Sequence, residues 1–318
     1  MKQGTHQTMW VEQKIQGIAL TAKGQELHIR VRDTRRRLSF ADILSVLIFI
    51  LVAAPAIPAV ELQAPFDHGH FLLTEVLTEH VANGLVNYRA LKENQASLNQ
   101  YLQEIANIDP EAYRKWTRQQ KLALWINAYN AYTIKGILDH YPIDHSWLAD
   151  PLGHYPDNSI RQIKGIWDDM TWTVIGEEYT LNHMEHEIMR RELADPRIHF
   201  VLVCASKGCP HLENKAFEAS DLDDRLDQAG TDYIYESRKV RIDGKNRNIQ
   251  LPQIFKWFEE DFVEGTQYKQ LFRDYSSKEA GILSWVYRYA NKADREFMEN
   301  NSLKIAYLYY DWALNERP

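Results

Sequence analysis

The chain has 318 residues, 45% of them hydrophobic and 25% charged, an ordinary globular balance that excludes collagen-like, disordered and multispan membrane classes. A net charge of −7 gives no basic footprint for nucleic acid. Two cysteines are too few for a disulfide-stapled miniprotein or a four-thiolate zinc site.

The N-terminus is uneven in charge. Residues 1–37 hold eight Lys/Arg against three Asp/Glu, and Arg35-Arg36-Arg37 precedes an apolar run. From Ala41 to Ala54 only Asp42 is charged, and Pro55 to Ala59 are small residues and prolines. A basic stretch, an apolar core and small residues make a secretory signal at 35–59. The rival reading is a single membrane anchor at 41–60, just long enough to span. Residues 1–34 read as an upstream extension with no assigned fold. Either reading exports the remainder, in a bacterium to the periplasm, where cysteines can be oxidised.

Residues 66–318 carry no repeat or low-complexity linker and read as one α+β domain, helix-rich with a small antiparallel sheet. Helices are predicted at Phe71–Val81, Leu91–Ile108 and Arg118–Asp139, with Val86–Tyr88 extended between the first two. The third has a continuous apolar face, so it reads as a buried central helix ended by Tyr141-Pro142. Thr171–Ile175 and Tyr179–Leu181 form a predicted hairpin around Gly176-Glu177. Asn182 then caps a helix to about Leu193, and Arg197–Cys204 reads as a buried strand. A second hairpin pairs Val240–Ile242 with Asn248–Leu251. Helices at Gln253–Phe262 and Lys278–Asn291 precede an extended aromatic tail, Ile305–Trp312.

Cys204 closes the apolar run His199–Val203 and opens a small polar loop through Ser206, Gly208 and Cys209. Rigidly held loops often carry reactive groups. A free thiol near pKa 8.5 is about 3% ionised at pH 7, so a nucleophilic role needs a nearby cation or helix N-terminus. The alternatives are an inert buried cysteine or a Cys204–Cys209 disulfide. Glu185 and His186 are helical neighbours about 100° apart, so they do not share one direction. His186 could act as a general base and Glu185 as an orienting acid. Alternatively, Glu185 forms a capping box with Asn182. Asn127 and Asn130 fall on one face of the central helix. Such amides either tie down a neighbouring loop or polarise a reacting group. A zinc set of Cys204, Cys209, His211 and His183 or His186 is a rival, on a spacing that fits no strong metal pattern.

Several stretches together resemble the domain of unknown function 547 family. They are Val86-Asn87-Tyr88, Trp125 to Asn130, Met184-Glu185-His186 with Ile188 and Arg190, and His199 through Pro210. Pro252 to Trp257, Asp261-Phe262 and Tyr307 to Asn315 extend the resemblance over roughly 70–315. The resemblance implies an exported bacterial protein with a papain-like cysteine-peptidase flavour and affinity for glutathione-like thiols. It points to Cys204, His186 and Glu185 as catalytic, with Asn127 beside them. Asn130, Arg190, Ser206 and Tyr129 become the substrate-binding set. The papain order, in which the cysteine precedes the histidine, is absent here.

The expected function is an exported thiol-dependent hydrolase or acyl transferase acting on small amides or peptides, without cofactor. Cys204 would be the nucleophile, His186 the base, Glu185 the orienting group, and Asn127 or Asn130 a hydrogen-bond donor. Two alternatives stand beside it. One is a non-catalytic envelope module that binds a thiol ligand or protein partner. The other is a divalent-metal protein built on the Cys/His set.

Overall fold

The apolar residues of the C-terminal four-fifths of the chain are buried by wrapping short elements around one long helix. The computed structural model describes residues 65–236 and 239–317, together with the backbone of three strands nearer the N-terminus. Those strands, β1 (Gln13–Ile15), β2 (Ile18–Lys23) and β3 (Glu26–Val31), pair antiparallel in sequence order. They belong to a compact unit of residues 1–63, distinct from the unit of residues 64–318. The expected signal or anchor at 35–59 lies outside the described residues. Among the described residues no helix is long and apolar enough to cross a membrane.

The second unit begins with α1 (Phe71–His80) and a two-stranded ribbon, β4 (Val81–Ala82) with β5 (Leu85–Val86). Helices α2 (Tyr88–Glu93) and α3 (Ala96–Ala106) follow. The sequence reading joined most of this stretch into one helix. Asn94 breaks it by turning extended and offering its side chain to the Ala96 N–H, a local bond that competes with helix. A short helix, α4 (Pro110–Arg114), leads to α5 (Arg118–His140).

Helix α5 is 23 residues long. Thr117 and Gln120 close a capping box at its start, satisfying two otherwise orphaned N–H groups. The helix ends where Tyr141 turns extended before Pro142. Nearly every residue from Leu122 to Leu138 is buried, Asn127 and Asn130 included, so α5 is the axis of the fold.

The first predicted hairpin is present as β6 (Trp172–Val174) and β7 (Glu177–Tyr179). Its turn places Ile175 at φ 56° and Gly176 at φ 77°. A left-handed φ is costly for β-branched Ile175. The N–H groups of Ile175 and Gly176 are fixed by the carbonyls of Ile105 and Ala106 at 2.9 and 2.8 Å, which holds the turn.

Two local expectations are corrected. Thr180, not Asn182, caps the next helix, accepting from the His183 N–H at 3.1 Å. That helix starts as α6 (Leu181–His183) and widens to π-type turns over Met184–Glu192. Asn182 instead bonds Asp168, and no capping box with Glu185 forms. The predicted strand at 197–204 is also absent. Asp195 caps a 3₁₀ turn, Pro196–Phe200, whose proline presets the first φ. Residues 201–203 then run buried without a strand partner.

Helix α7 (Leu222–Thr231) precedes the second predicted hairpin, β8 (Arg241–Asp243) with β9 (Asn248–Leu251). Helix α8 (Ile254–Trp257) and a 3₁₀ turn, Glu259–Phe262, stand where one longer helix was expected. Helices α9 (Ser277–Tyr289) and α10 (Lys292–Asn300) follow, the former under a Ser276/Glu279 capping box. Strand β10 (Lys304–Tyr307) joins β9 in parallel, so this sheet is mixed rather than purely antiparallel. The described residues from 65 on are 49% helical, and with sheets of only two or three strands the fold is α+β.

The final segment is a strap. Ala313 and Asp311 carbonyls accept from Lys207 and Gly208 at 2.9 and 2.8 Å, and Asn315 donates to Ala205 at 3.1 Å. A Cβ on Gly208 would lie 2.7 Å from the Tyr310 ring, so only glycine lets the strap seat that closely. From the opposite side, Asn130 donates to the Val201 carbonyl at 3.0 Å and accepts from the Val203 N–H at 2.9 Å. Asn130→Ala strands both buried backbone groups. It should destabilise the protein by about 2–4 kcal/mol in urea unfolding, the cost of two unsatisfied groups. A loss under about 1 kcal/mol would mean that water replaces the amide.

Candidate active site

The strap and the 204–209 loop form one wall of a cleft of about 260 Å³. Cys204 opens into it half-buried, and Cys209 lies behind, almost fully buried. Both are free thiols. Glu185, His186 and His199 line the other side, with Tyr129 from α5. Trp257, Tyr310 and Trp312 form its aromatic rim, with ring centroids 4.6–5.8 Å apart.

The thiols share one hydrogen-bond network. Cys209 Sγ accepts the Cys204 N–H at 3.0 Å, and the Ser206 hydroxyl lies 3.4 Å from it. Tyr310 Oη is 3.1 Å from Cys209 Sγ and 3.2 Å from Cys204 Sγ. Both sulfurs thus meet at the Tyr310 hydroxyl. Burial opposes ionisation of Cys209, but the bonds from Cys204, Ser206 and Tyr310 outweigh it and bring the thiol down to about 6. The adjacent Cys209 sulfur, and then burial, push Cys204 up. The negative charge therefore belongs on the inner sulfur and the proton on the outer one. The loop holding this pair places Ala205 at φ 54°, a strained position for a residue with a Cβ. Lys239 Nζ gathers the carbonyls of Lys207, Gly208 and Cys209 from outside.

Glu185 projects from the widened helix into the interior and bonds Tyr129. Burial raises its carboxyl to about 7, only partly offset by Tyr129 and Arg190. It is 8% exposed and lies within the electrostatic reach of Cys209, which adds to the upward shift.

The histidines belong to a second cluster. Asp261 accepts both arms of Arg190, Nε at 2.5 Å and Nη2 at 2.8 Å, and His199 Nε2 at 2.6 Å. Those bonds overcome burial and hold Asp261 well below the usual carboxylate range. His199 stacks on Phe258 at 4.1 Å, and burial lowers its pKa. His186 Nδ1 accepts from Arg190 Nη1. Burial and that guanidinium lower His186. Both imidazoles are therefore neutral near pH 7. Neither is hydrogen-bonded to a cysteine.

The expected site is thus only partly assembled. Cys204, Glu185, His186 and Tyr129 share the cleft. Ser206 lies behind the wall as a hydroxyl donor to the thiols. Arg190 holds Asp261 and His186. Asn127 is corrected by its position: its buried amide clamps the Phe217 backbone at 2.8 and 2.9 Å and does not line the cleft. Asn130 is corrected likewise, because its amide is committed to 201 and 203. The zinc set does not converge. His211 lines a different depression, and no group of three potential ligands is gathered among the described residues.

Residues 113–234 match the family described as Protein of unknown function, DUF547. The support for DUF547 membership lies in that stretch of the chain. No curated protein and no solved structure matches it. The DUF547 match contains both cysteines, Glu185, His186 and His199. The cleft's other wall, from Trp257 to Trp312, comes from residues after it.

Arg161 was missed in the sequence, where it stands in no pattern. It lines the cleft beside Tyr155, Trp167 and Trp312, its guanidinium 4.6–5.5 Å from their ring centroids. One nitrogen bonds Tyr155 Oη at 3.1 Å, Nε has no partner, and no carboxylate pairs with it among the described residues.

Two outcomes follow. Cys209→Ala removes the largest cause of the Cys204 shift, so iodoacetamide labelling of Cys204 should move to lower pH; an unchanged or higher profile would refute the shared proton. For Glu185, the raised carboxyl binds a proton more tightly when folded. Stability is then full below about 4.5 and lost as pH rises through about 7. Glu185→Gln should remove that slope and gain roughly 3 kcal/mol over wild type at pH 8, measured in parallel urea titrations.

Proposed function

We propose that the cleft is the active site of a thiol-dependent acyl transferase or hydrolase acting on small carboxylate-bearing amides or peptides. Cys204 is the nucleophile. The observation that carries this reading is the cleft-lining Cys204 thiol beside an inner sulfur that accepts the Cys204 N–H at 3.0 Å and favours the anion. That inner sulfur supplies the base a cysteine nucleophile needs, in place of an imidazole.

In the first step Cys204 Sγ bonds to the carbonyl carbon as its proton passes to Cys209 Sγ. The amine then leaves, taking that proton, and the acyl group remains on Cys204 as a thioester. Water or an acceptor amine attacks the thioester, and Glu185, titrating near neutrality, accepts its proton. His186, whose Nδ1 accepts from Arg190, faces the ligand with its Nε2–H as a neutral donor. Unpaired Arg161 supports a carboxylate on the ligand, since a guanidinium fork matches that group in geometry and charge.

The upward shift of Cys204 and the lack of an imidazole beside it favour one second reading. In that reading the pocket is a non-catalytic module for a thiol ligand in the cell envelope.

The test compares p-nitrophenyl succinate with p-nitrophenyl acetate, reading acylation by mass. Wild type should form an acyl-enzyme on Cys204, faster with the succinate by about tenfold, the worth of one charged hydrogen bond. Arg161→Gln should erase the preference, and Cys204→Ala should form no adduct. No acylation of Cys204, with saturable binding of carboxylate thiols, would support the binding module instead.

A further inference from the structure

The acyl-transfer reading uses Cys209 only as a base, yet the geometry around it exceeds what a base requires. An outer thiol opens to a ligand cleft. An inner thiol is buried directly behind it, its sulfur 3.0 Å from the Cys204 backbone nitrogen. Both sulfurs contact one hydroxyl, Tyr310 Oη, and the inner one also holds the outer residue's N–H. The loop that joins them is pinned on both faces, by the strap and by Asn130. It therefore keeps the sulfurs adjacent at little further entropic cost.

The geometry points to a dithiol–disulfide exchange activity at Cys204 and Cys209, with a small organic disulfide in the aromatic-rimmed cleft as substrate. Both cysteines line the cleft, and Cys204 is the attacking sulfur because it is the more exposed of the two. Cys209 is the resolving sulfur because it is almost fully buried and touches Cys204.

The exchange balances in two steps. The Cys204 thiolate attacks one sulfur of the substrate; the Cys204–S bond forms, the substrate S–S bond breaks, and the first substrate thiolate leaves. The Cys209 thiolate then attacks Cys204 Sγ; the Cys204–Cys209 bond forms and the second substrate thiolate leaves. The protein dithiol is oxidised by two electrons and the substrate disulfide is reduced by two; the pair's one proton passes from Cys209 to the first thiolate released, and water protonates the second. A small-molecule thiol reverses the sequence and restores the dithiol. The monoanion reaches the first step by moving its proton from the outer to the inner sulfur through the Tyr310 hydroxyl that contacts both. This activity needs both thiols and no acyl-enzyme, so it stands apart from the acyl-transfer proposal.

The probe is bis(2-hydroxyethyl) disulfide, added to the reduced, folded full chain at pH 7.5, with released mercaptoethanol counted and the protein mass read after acid quench. Wild type should release two thiols per chain and lose two hydrogens, with the bond mapped to Cys204–Cys209. Cys209→Ala should stop after one thiol and keep a mercaptoethanol adduct on Cys204, and Cys204→Ala should release none. Circular dichroism checks that the variants are folded, and Cys209→Ser repeats the trap in a side chain of similar size. A wild-type chain that stops at the mixed disulfide overturns the proposal. So does one whose cysteines react only after urea is added. Neither result depends on ester acylation, so the two proposals fail separately.

Discussion

The buried course of residues 201–209 is the constraint on which this protein is organised. Backbone inside a protein must find partners for its N–H and C=O groups, and this segment has no neighbouring strand to supply them. Three other parts of the chain supply them instead. Helix α5 reaches in with the Asn130 amide, the strap contributes the backbone of Asp311, Ala313 and Asn315, and Lys239 caps the outer carbonyls. Each partner is far away in sequence. The loop carrying the cysteines is therefore fixed only when the central helix and the C-terminus are both in place.

That arrangement also sets the electrostatics. Donors converge on Cys209 and leave the cleft-facing sulfur with the proton. Across the cleft, Asp261 gathers Arg190 and His199, and Arg190 in turn occupies His186. The histidines are thereby kept neutral and oriented, and withheld from the thiols. Between the two networks stands Glu185, a carboxyl forced by burial into the neutral range. Titratable groups pushed apart within one pocket are what acid–base chemistry at neutral pH requires. Here the division of roles runs between two sulfurs and a carboxyl, where a cysteine–histidine pair would have been the usual arrangement.

The pattern of apolar residues was enough for the long elements. The continuous face of α5 and its stop at Tyr141-Pro142 could be read directly, as could both hairpins and the α+β class, because period and turn chemistry are local properties. Local rules failed where a tertiary partner competed. The apolar run 197–203 looks like a strand, yet Asp195 and Pro196 wind its start and no strand lies beside the rest. Asn182 has the right residue type for a cap, but Thr180 lies one turn position earlier and takes the role.

The site divides in the same way. The residue types and order along the chain singled out Cys204, Glu185 and His186 as neighbours of one pocket, and the DUF547 match covers all three. Only the tertiary structure decided their relations. It assigned Asn127 and Asn130 to holding backbone, gave His186 to Arg190, and made Cys209 the partner of Cys204. It also brought Arg161, Asp261 and Tyr310 to the cleft from segments whose spacing carries no signal. The reason is physical: a side chain's type fixes which bonds it can make, but which partner lies within reach is set by packing, often between chain segments 71 to 106 residues apart.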